Sequence, residues 1–214
     1  MRDALELLLK HRVIPVVEIA DSADAAGLAA ALADGGLPVV EVTLRTSAAV
    51  DAIARIRAAV PEMAIGAGTV LDAAAAEAAA GAGADFLVAP GYSPAVGRRA
   101  AELGIPLIPG AATASEVENT RADGFRTLKF FPAVPAGGIP LLTALTAPYR
   151  DVRFMPTGGI RQETLADWLA VPAVAACGGT WIAPAELIER GDWDAIRTRA
   201  TDAVRAAAPQ TTHE

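Results

Sequence analysis

The stretch "MAIGAGTVLDAAAAEAAAGAGADFLVAP", residues 63–90, decides the fold. A short β-rich run ends in glycine, and an alanine-rich segment follows behind Asp72, whose carboxylate can cap a first helical turn. After a glycine turn comes a second apolar run, "DFLVA". Strand, helix and strand make one βα unit, and the unit recurs in both directions along the chain. Strands are read at residues 13–19, 38–44, 63–68, 85–89, 106–110, 127–131, 152–156 and 173–177. From the third onward their ends fall near Gly68, Pro90, Gly110, Phe131, Gly158 and Gly179, mostly a little over twenty residues apart. "DSADAAG" and "RTSAAVD" offer further Asp, Ser and Thr caps before helices. Eight units with no intervening linker predict an α/β fold, a single (β/α)8 TIM barrel over residues 1–206, with residues 207–214 as a frayed tail.

Composition narrows the chemistry. Of 214 residues 53% are apolar, enough for a substantial core, yet no run approaches the ~20 strongly apolar residues that span a bilayer. The net charge of −7 argues against a nucleic-acid partner, because phosphate backbones are held by basic surfaces. No membrane contact is expected, and the start "MRDALELLLKHR" does not read as a secretory signal, so the expected compartment is the cytoplasm. Cys177 is the only cysteine, and His11 and His213 lie near the two ends. That excludes an intrachain disulfide and a histidine-based triad, and it leaves no cysteine-rich or multi-histidine metal site. Carboxylates could still hold magnesium, no cofactor is expected, and the partner is a small molecule. Cys177 is read as a small buried strand residue, and Trp168, Trp181 and Trp193 as packing residues.

Lys10 and Lys129 are the only lysines, against sixteen arginines. Arginine evidently serves wherever a plain positive charge is needed, so Lys129 in "TLKFFPA" suggests work that arginine cannot do. Strand periodicity puts Lys129 inward with Thr127 and Phe131, and likewise Glu41, Thr43 and Arg45 of "VVEVTLRT" inward, with the apolar neighbours facing the helices. An ammonium beside a phenyl ring in a partly dry cavity is destabilised relative to the free amine, and a free amine adds to carbonyls to form a Schiff base. Glu41 is the inward carboxylate best placed to move protons, and Arg45 could fork a substrate carboxylate. Two structural alternatives stand beside these roles: an ion pair between Glu41 and Arg45, and a core pair between Lys129 and Glu41. "GAGTVL" offers small residues that leave room, and the Thr69 hydroxyl as a donor. The pairs "PTGGI" and "CGGTW", read as following the seventh and eighth strands, place Gly158, Gly159, Gly179 and Thr180 where barrels often bind phosphate.

In order and spacing, "EVTLRT", "GAGTVL", "IPLIPG", "KFFPA", "PTGGI" and "GGTW" resemble the 2-keto-3-deoxy-6-phosphogluconate (KDPG) aldolases, from about Val13 to Ala203. The resemblance implies a class I, metal-free (β/α)8 aldolase, usually a homotrimer. Such enzymes cleave their substrate to pyruvate and glyceraldehyde 3-phosphate, and often cleave 4-hydroxy-2-oxoglutarate to pyruvate and glyoxylate. It makes Lys129 the Schiff-base residue and Glu41 the proton-transfer residue. Arg45 and Thr69 would then engage the pyruvyl carboxylate. Phe131, Thr157, Gly158, Gly159, Gly179 and Thr180 would line the remainder of a site for a 2-oxo acid that is expected to be phosphorylated. Galactonate-type aldolases, a phosphosugar isomerase or epimerase, and a binding barrel stand as alternatives. Three positions depart from the pattern. Thr180 and Ala89 stand where serine is common, and Glu18 stands where arginine or an apolar residue is. A carboxylate beside the phosphate site would repel a dianion by a few kcal/mol at ~4 Å and an effective dielectric near 20.

Overall fold

A computed structural model describes residues 4–208. Among the described residues there are eight strands: β1 (Val13–Val17), β2 (Val39–Thr43), β3 (Ala64–Gly68), β4 (Phe86–Val88), β5 (Leu107–Ile108), β6 (Thr127–Phe130), β7 (Arg153–Pro156) and β8 (Cys177–Gly179). All pairings are parallel. They run in the order β5-β4-β3-β2-β1-β8, with β6 on β7. Bridges at Gly110–Lys129, Phe154–Val174 and Thr157–Gly178 join the two sets and close the barrel. At the first junction the Lys129 N–H donates to the Pro109 carbonyl and the Ala111 N–H to the Lys129 carbonyl, both at 2.8 Å.

Helix α1 (Ala4–His11) precedes the barrel, and α2 (Ala25–Asp34), α3 (Ala49–Ala59), α4 (Ala73–Gly81), α5 (Pro94–Leu103) and α6 (Ala114–Ala122) follow the first five strands. Two short helices, α7 (Ala133–Ala136) and α8 (Gly138–Thr146), follow β6; α9 (Leu165–Leu169) follows β7; α10 (Ala185–Glu189) and α11 (Trp193–Ala207) follow β8. None of them is long and apolar enough to cross a membrane. The strands are almost wholly buried on both faces, as parallel strands between a core and a helical shell must be. Inside, the Phe86 ring lies over Gly66, where an added Cβ would sit only 2.3 Å from the ring. That plug contributes roughly 1.5–3 kcal/mol of apolar burial.

Asp72 Oδ1 caps α4 as expected, accepting the Ala75 N–H at 2.8 Å, whereas Asp21 Oδ1 accepts the Ala23 N–H at 2.9 Å and caps the short 3-10 turn Ser22–Asp24 that leads into α2, which has no side-chain cap of its own. In "RTSAAVD" the hydroxyl of Thr46 instead donates 2.6 Å to the Ile19 carbonyl, and α3 starts behind Ala48 with no side-chain cap. The loop between β2 and α3 is thus tied to the end of β1. The eighth strand also begins later than residue 173. Only Val174 of that run bridges β7, and the ladder with β1 pairs Val13–Cys177, Ile14–Gly178 and Pro15–Gly179. Both glycines of "CGGTW" are therefore strand residues rather than a turn. Thr157 fills the space over Gly178, and the Trp181 ring the space over Gly179. At the end of the chain α11 continues to the buried Ala207, and residues 209–214 of the expected tail, His213 among them, lie outside the described residues.

Candidate active site

Lys129 and Glu41 meet inside the barrel. Their strands are far apart in sequence, but both side chains point to the axis, and Lys129 Nζ lies 3.1 Å from Glu41 Oε1. Lys129 is 5% exposed and Glu41 is 0% exposed. The pair expected as the structural alternative is thus present, while Arg45 takes no part in it. The carboxylate needs Gly68 beside it, since a Cβ there would lie 2.3 Å from Glu41 Oε1. "GAG" therefore makes room for Phe86 and Glu41 rather than for a ligand. The second carboxylate oxygen, Glu41 Oε2, is buried with no hydrogen-bond partner among the described residues. On its other side Lys129 Nζ sits 5.3 Å from the centroid of the Phe131 ring, a cation–π arrangement.

Above this pair opens a cleft of about 320 Å³. It is lined by Val16, Thr43, Arg45, Thr69, Pro90, Lys129, Phe131, Thr157, Gly158, Gly159, Ile160, Gly178, Gly179 and Thr180. Every residue given a catalytic or substrate-binding role from the sequence is there except Glu41, which contacts Lys129. Two larger grooves, of about 630 and 570 Å³, lie between outer helices and contain no lysine. Thr69 holds a left-handed backbone at φ 59°, unusual and strained for a β-branched residue and typical of functional turns. Gly158 and Gly159 have φ of 103° and 81°, which only glycine adopts freely. The loop they form is fastened to α7, because the carbonyls of Thr157 and Gly158 accept from Ala133 and Val134 at 2.8 and 3.0 Å. The Thr157 hydroxyl is buried without a protein partner.

Arg45 lies beyond the end of β2 rather than inside the barrel as strand parity suggested, and its side chain is 54% exposed at the rim. Its ionic partner is Glu18, at 3.8 Å. Glu18 is half exposed and does not line the cleft, so the expected clash with a phosphate site is not formed. Cys177 is fully buried, and burial pushes its thiol well above the ordinary range, Arg12 opposing that only in part. It is a packing residue.

A buried lysine, a carboxylate against it and a glycine-lined upper wall make up the site. The model of the KDPG and KHG aldolase family matches residues 5–199. This chain belongs to that family. It is 46% identical over 191 residues to the 2-dehydro-3-deoxy-phosphogluconate aldolase of Treponema pallidum, covering 89% of this chain and 91% of the relative. It is 43% identical over 204 residues to the KHG/KDPG aldolase of Escherichia coli K12, covering 95% and 96%. Among solved structures, the KDPG aldolase of Legionella pneumophila with pyruvate captured as a covalent carbinolamine superposes with a TM-score of 0.90 at 38% identity, covering 94% of this chain and 97% of that one.

The protein is accordingly an aldolase, a lyase, on a closed barrel, and the isomerase, epimerase and binding-barrel readings are not favoured. Sequence reasoning passed over several of the aldolase's cleft residues: Val16, Pro90, Ile160 and Gly178. Val16 was within reach, since it pairs with Glu41 across β1 and β2 and so shares its inward parity. Pro90 and Ile160 lie in loops whose course no periodicity reveals.

Proposed function

We propose that this chain cleaves 2-keto-3-deoxy-6-phosphogluconate to pyruvate and glyceraldehyde 3-phosphate through an imine on Lys129, and also cleaves 4-hydroxy-2-oxoglutarate. The observation that carries the assignment is the 3.1 Å contact between Lys129 Nζ and a fully buried carboxylate with a second, unpartnered oxygen. Glu41 takes a proton from the ammonium, and the freed amine adds to the C2 carbonyl to give a carbinolamine. Glu41 returns that proton to the carbinolamine hydroxyl, which leaves as water, and the resulting iminium draws electrons from the C3–C4 bond. Glu41, directly or through a water, removes the C4 hydroxyl proton as that bond breaks, and returns a proton to the enamine carbon. Hydrolysis then frees pyruvate and the lysine.

Arg45 and Thr69 hold the pyruvyl carboxylate. Thr157 and Phe131 border the reacting carbons, and Gly158, Gly159, Gly179 and Thr180 hold the distal phosphate. Residues 1–206 act as one catalytic domain, working as a homotrimer in the cytoplasm. Self-association is supported by the surface after β6. No charge occurs between Lys129 and Arg150, although Val134, Pro140, Thr143 and Ala144 are exposed there. Borohydride added with pyruvate should fix one reduced pyruvyl group on Lys129, read by mass spectrometry of peptides. Lys129→Arg should keep the fold and lose both adduct and turnover. An adduct on another residue, or turnover retained in that variant, overturns the imine assignment.

A further inference from the structure

Arg45 already has an anion beside it. Glu18 Oε2 lies 3.8 Å from Arg45 Nη1, and both side chains are about half exposed, 50% and 54%. Glu18 comes just after β1, and its contact with Arg45, which lines the cleft, puts it at the rim. The two backbones that carry this pair cannot drift apart. Thr43 Oγ1 donates to the Val17 carbonyl at 3.0 Å and Thr46 Oγ1 to the Ile19 carbonyl at 2.6 Å, so hydroxyls tie the loops together on either side of Glu18. At 3.8 Å the pair is coulombic and makes no hydrogen bond. A substrate carboxylate, by contrast, can offer Arg45 two short charge-assisted bonds in the plane of the guanidinium.

We infer that Glu18 is a positioning residue that occupies Arg45 until the substrate's carboxylate displaces it, and so sets how tightly the pyruvyl end of every substrate is held. The inference rests on the role of Arg45 proposed above. It also reverses the expectation that Glu18 acts on phosphate. Gly179 pairs with Pro15, three residues before Glu18 in the chain. At roughly 3.3 Å per residue that puts Glu18 about 10 Å along the chain from the level of Gly179, and it does not line the cleft that Gly158, Gly159, Gly179 and Thr180 wall. Its influence falls on the carboxylate end, which phosphorylated and unphosphorylated substrates share.

The test is Glu18→Gln, assayed with the phosphorylated substrate and with 4-hydroxy-2-oxoglutarate. KM should fall about two- to fivefold for both, the scale of a half-exposed ion pair, with kcat unchanged. The pyruvate concentration for half-maximal borohydride trapping should fall by the same factor. The gain should shrink at high salt and vanish in an Arg45→Met background. Glu62→Gln, the same charge change at an exposed residue before β3 and so at the opposite end of the barrel, should leave KM where it was. An unchanged or raised KM in Glu18→Gln, a gain confined to the phosphorylated substrate, or an equal gain from Glu62→Gln would each overturn the inference. Failure of the parent to trap pyruvate at all would overturn the imine reading instead. Normal trapping whose midpoint ignores Glu18→Gln sinks only the role of Glu18.

Discussion

Replacing Lys129 with methionine keeps length and volume but strands Glu41. The carboxylate is fully buried, one oxygen bonds only to Lys129 at 3.1 Å, and the other has no protein partner. At that separation and an effective dielectric near 20 the attraction is about 5 kcal/mol, before either group's lost hydration is counted. Breaking such a pair from one side costs about 3–5 kcal/mol, because a buried charge is left uncompensated. Lys129→Met should therefore lose roughly 3 kcal/mol or more of unfolding free energy. The double variant Lys129→Met/Glu41→Gln, which removes the charge and keeps the shape, should regain most of it. Urea unfolding followed by circular dichroism checks this, at one fixed protein concentration because the proposed self-association would shift the midpoint. If Lys129→Met unfolds with the parent, or the double variant is no more stable than the single, then Lys129 does not hold the Glu41 carboxylate and the proposed proton transfer loses its geometric basis.

Glu41→Gln should slow turnover by ~10²-fold or more yet still allow pyruvate to be trapped on Lys129. Exchange of pyruvate methyl protons with solvent at the parent rate, followed by NMR, would remove Glu41 from proton transfer. Gly66→Ala forces a methyl to within 2.3 Å of the Phe86 ring, so unfolding should be easier by about 1–3 kcal/mol; a parent-like urea midpoint would mean that the ring does not fill the barrel there. Burial, helped by Lys10, pulls the His11 imidazole down to about 4 from its ordinary 6.5. Because the folded value is the lower one, the unfolded chain takes up the proton first. Stability present above pH 6.5 should decline as pH falls from there towards 4, by about 1 kcal/mol after discounting for partial exposure. His11→Asn should flatten that part of the pH–stability curve, and an unchanged slope would refute the cause.

Much of this was legible because a barrel imposes period two on its strands. Glu41 and Lys129 could be placed inside from parity alone, and both point there. Parity failed at Arg45, since β2 ends at Thr43 and the rule lapses with the strand. It failed also at Gly178 and Gly179. Two adjacent glycines read locally as a turn, but neighbouring side chains, Thr157 and Trp181, supply the bulk those residues lack and let them stay in the ladder. The sequence allowed that Glu18 pairs with an arginine, but did not tell which one. Glu18 and Arg45 are brought together by two hydroxyl-to-carbonyl ties between loops, and no short-range pattern announces such a tie.

The Phe86 ring fills the barrel interior over Gly66, and the cleft that Lys129 lines is walled by Gly158, Gly159, Gly179 and Thr180. On the proposed imine mechanism a cleaved substrate would leave its three-carbon piece joined to Lys129, which is only 5% exposed, with the free aldehyde between it and solvent. The aldehyde would then depart first. Water would reach the remaining imine only after it, so the two products would emerge in a fixed order, and an aldehyde that lingers would rejoin the carbon it had just left.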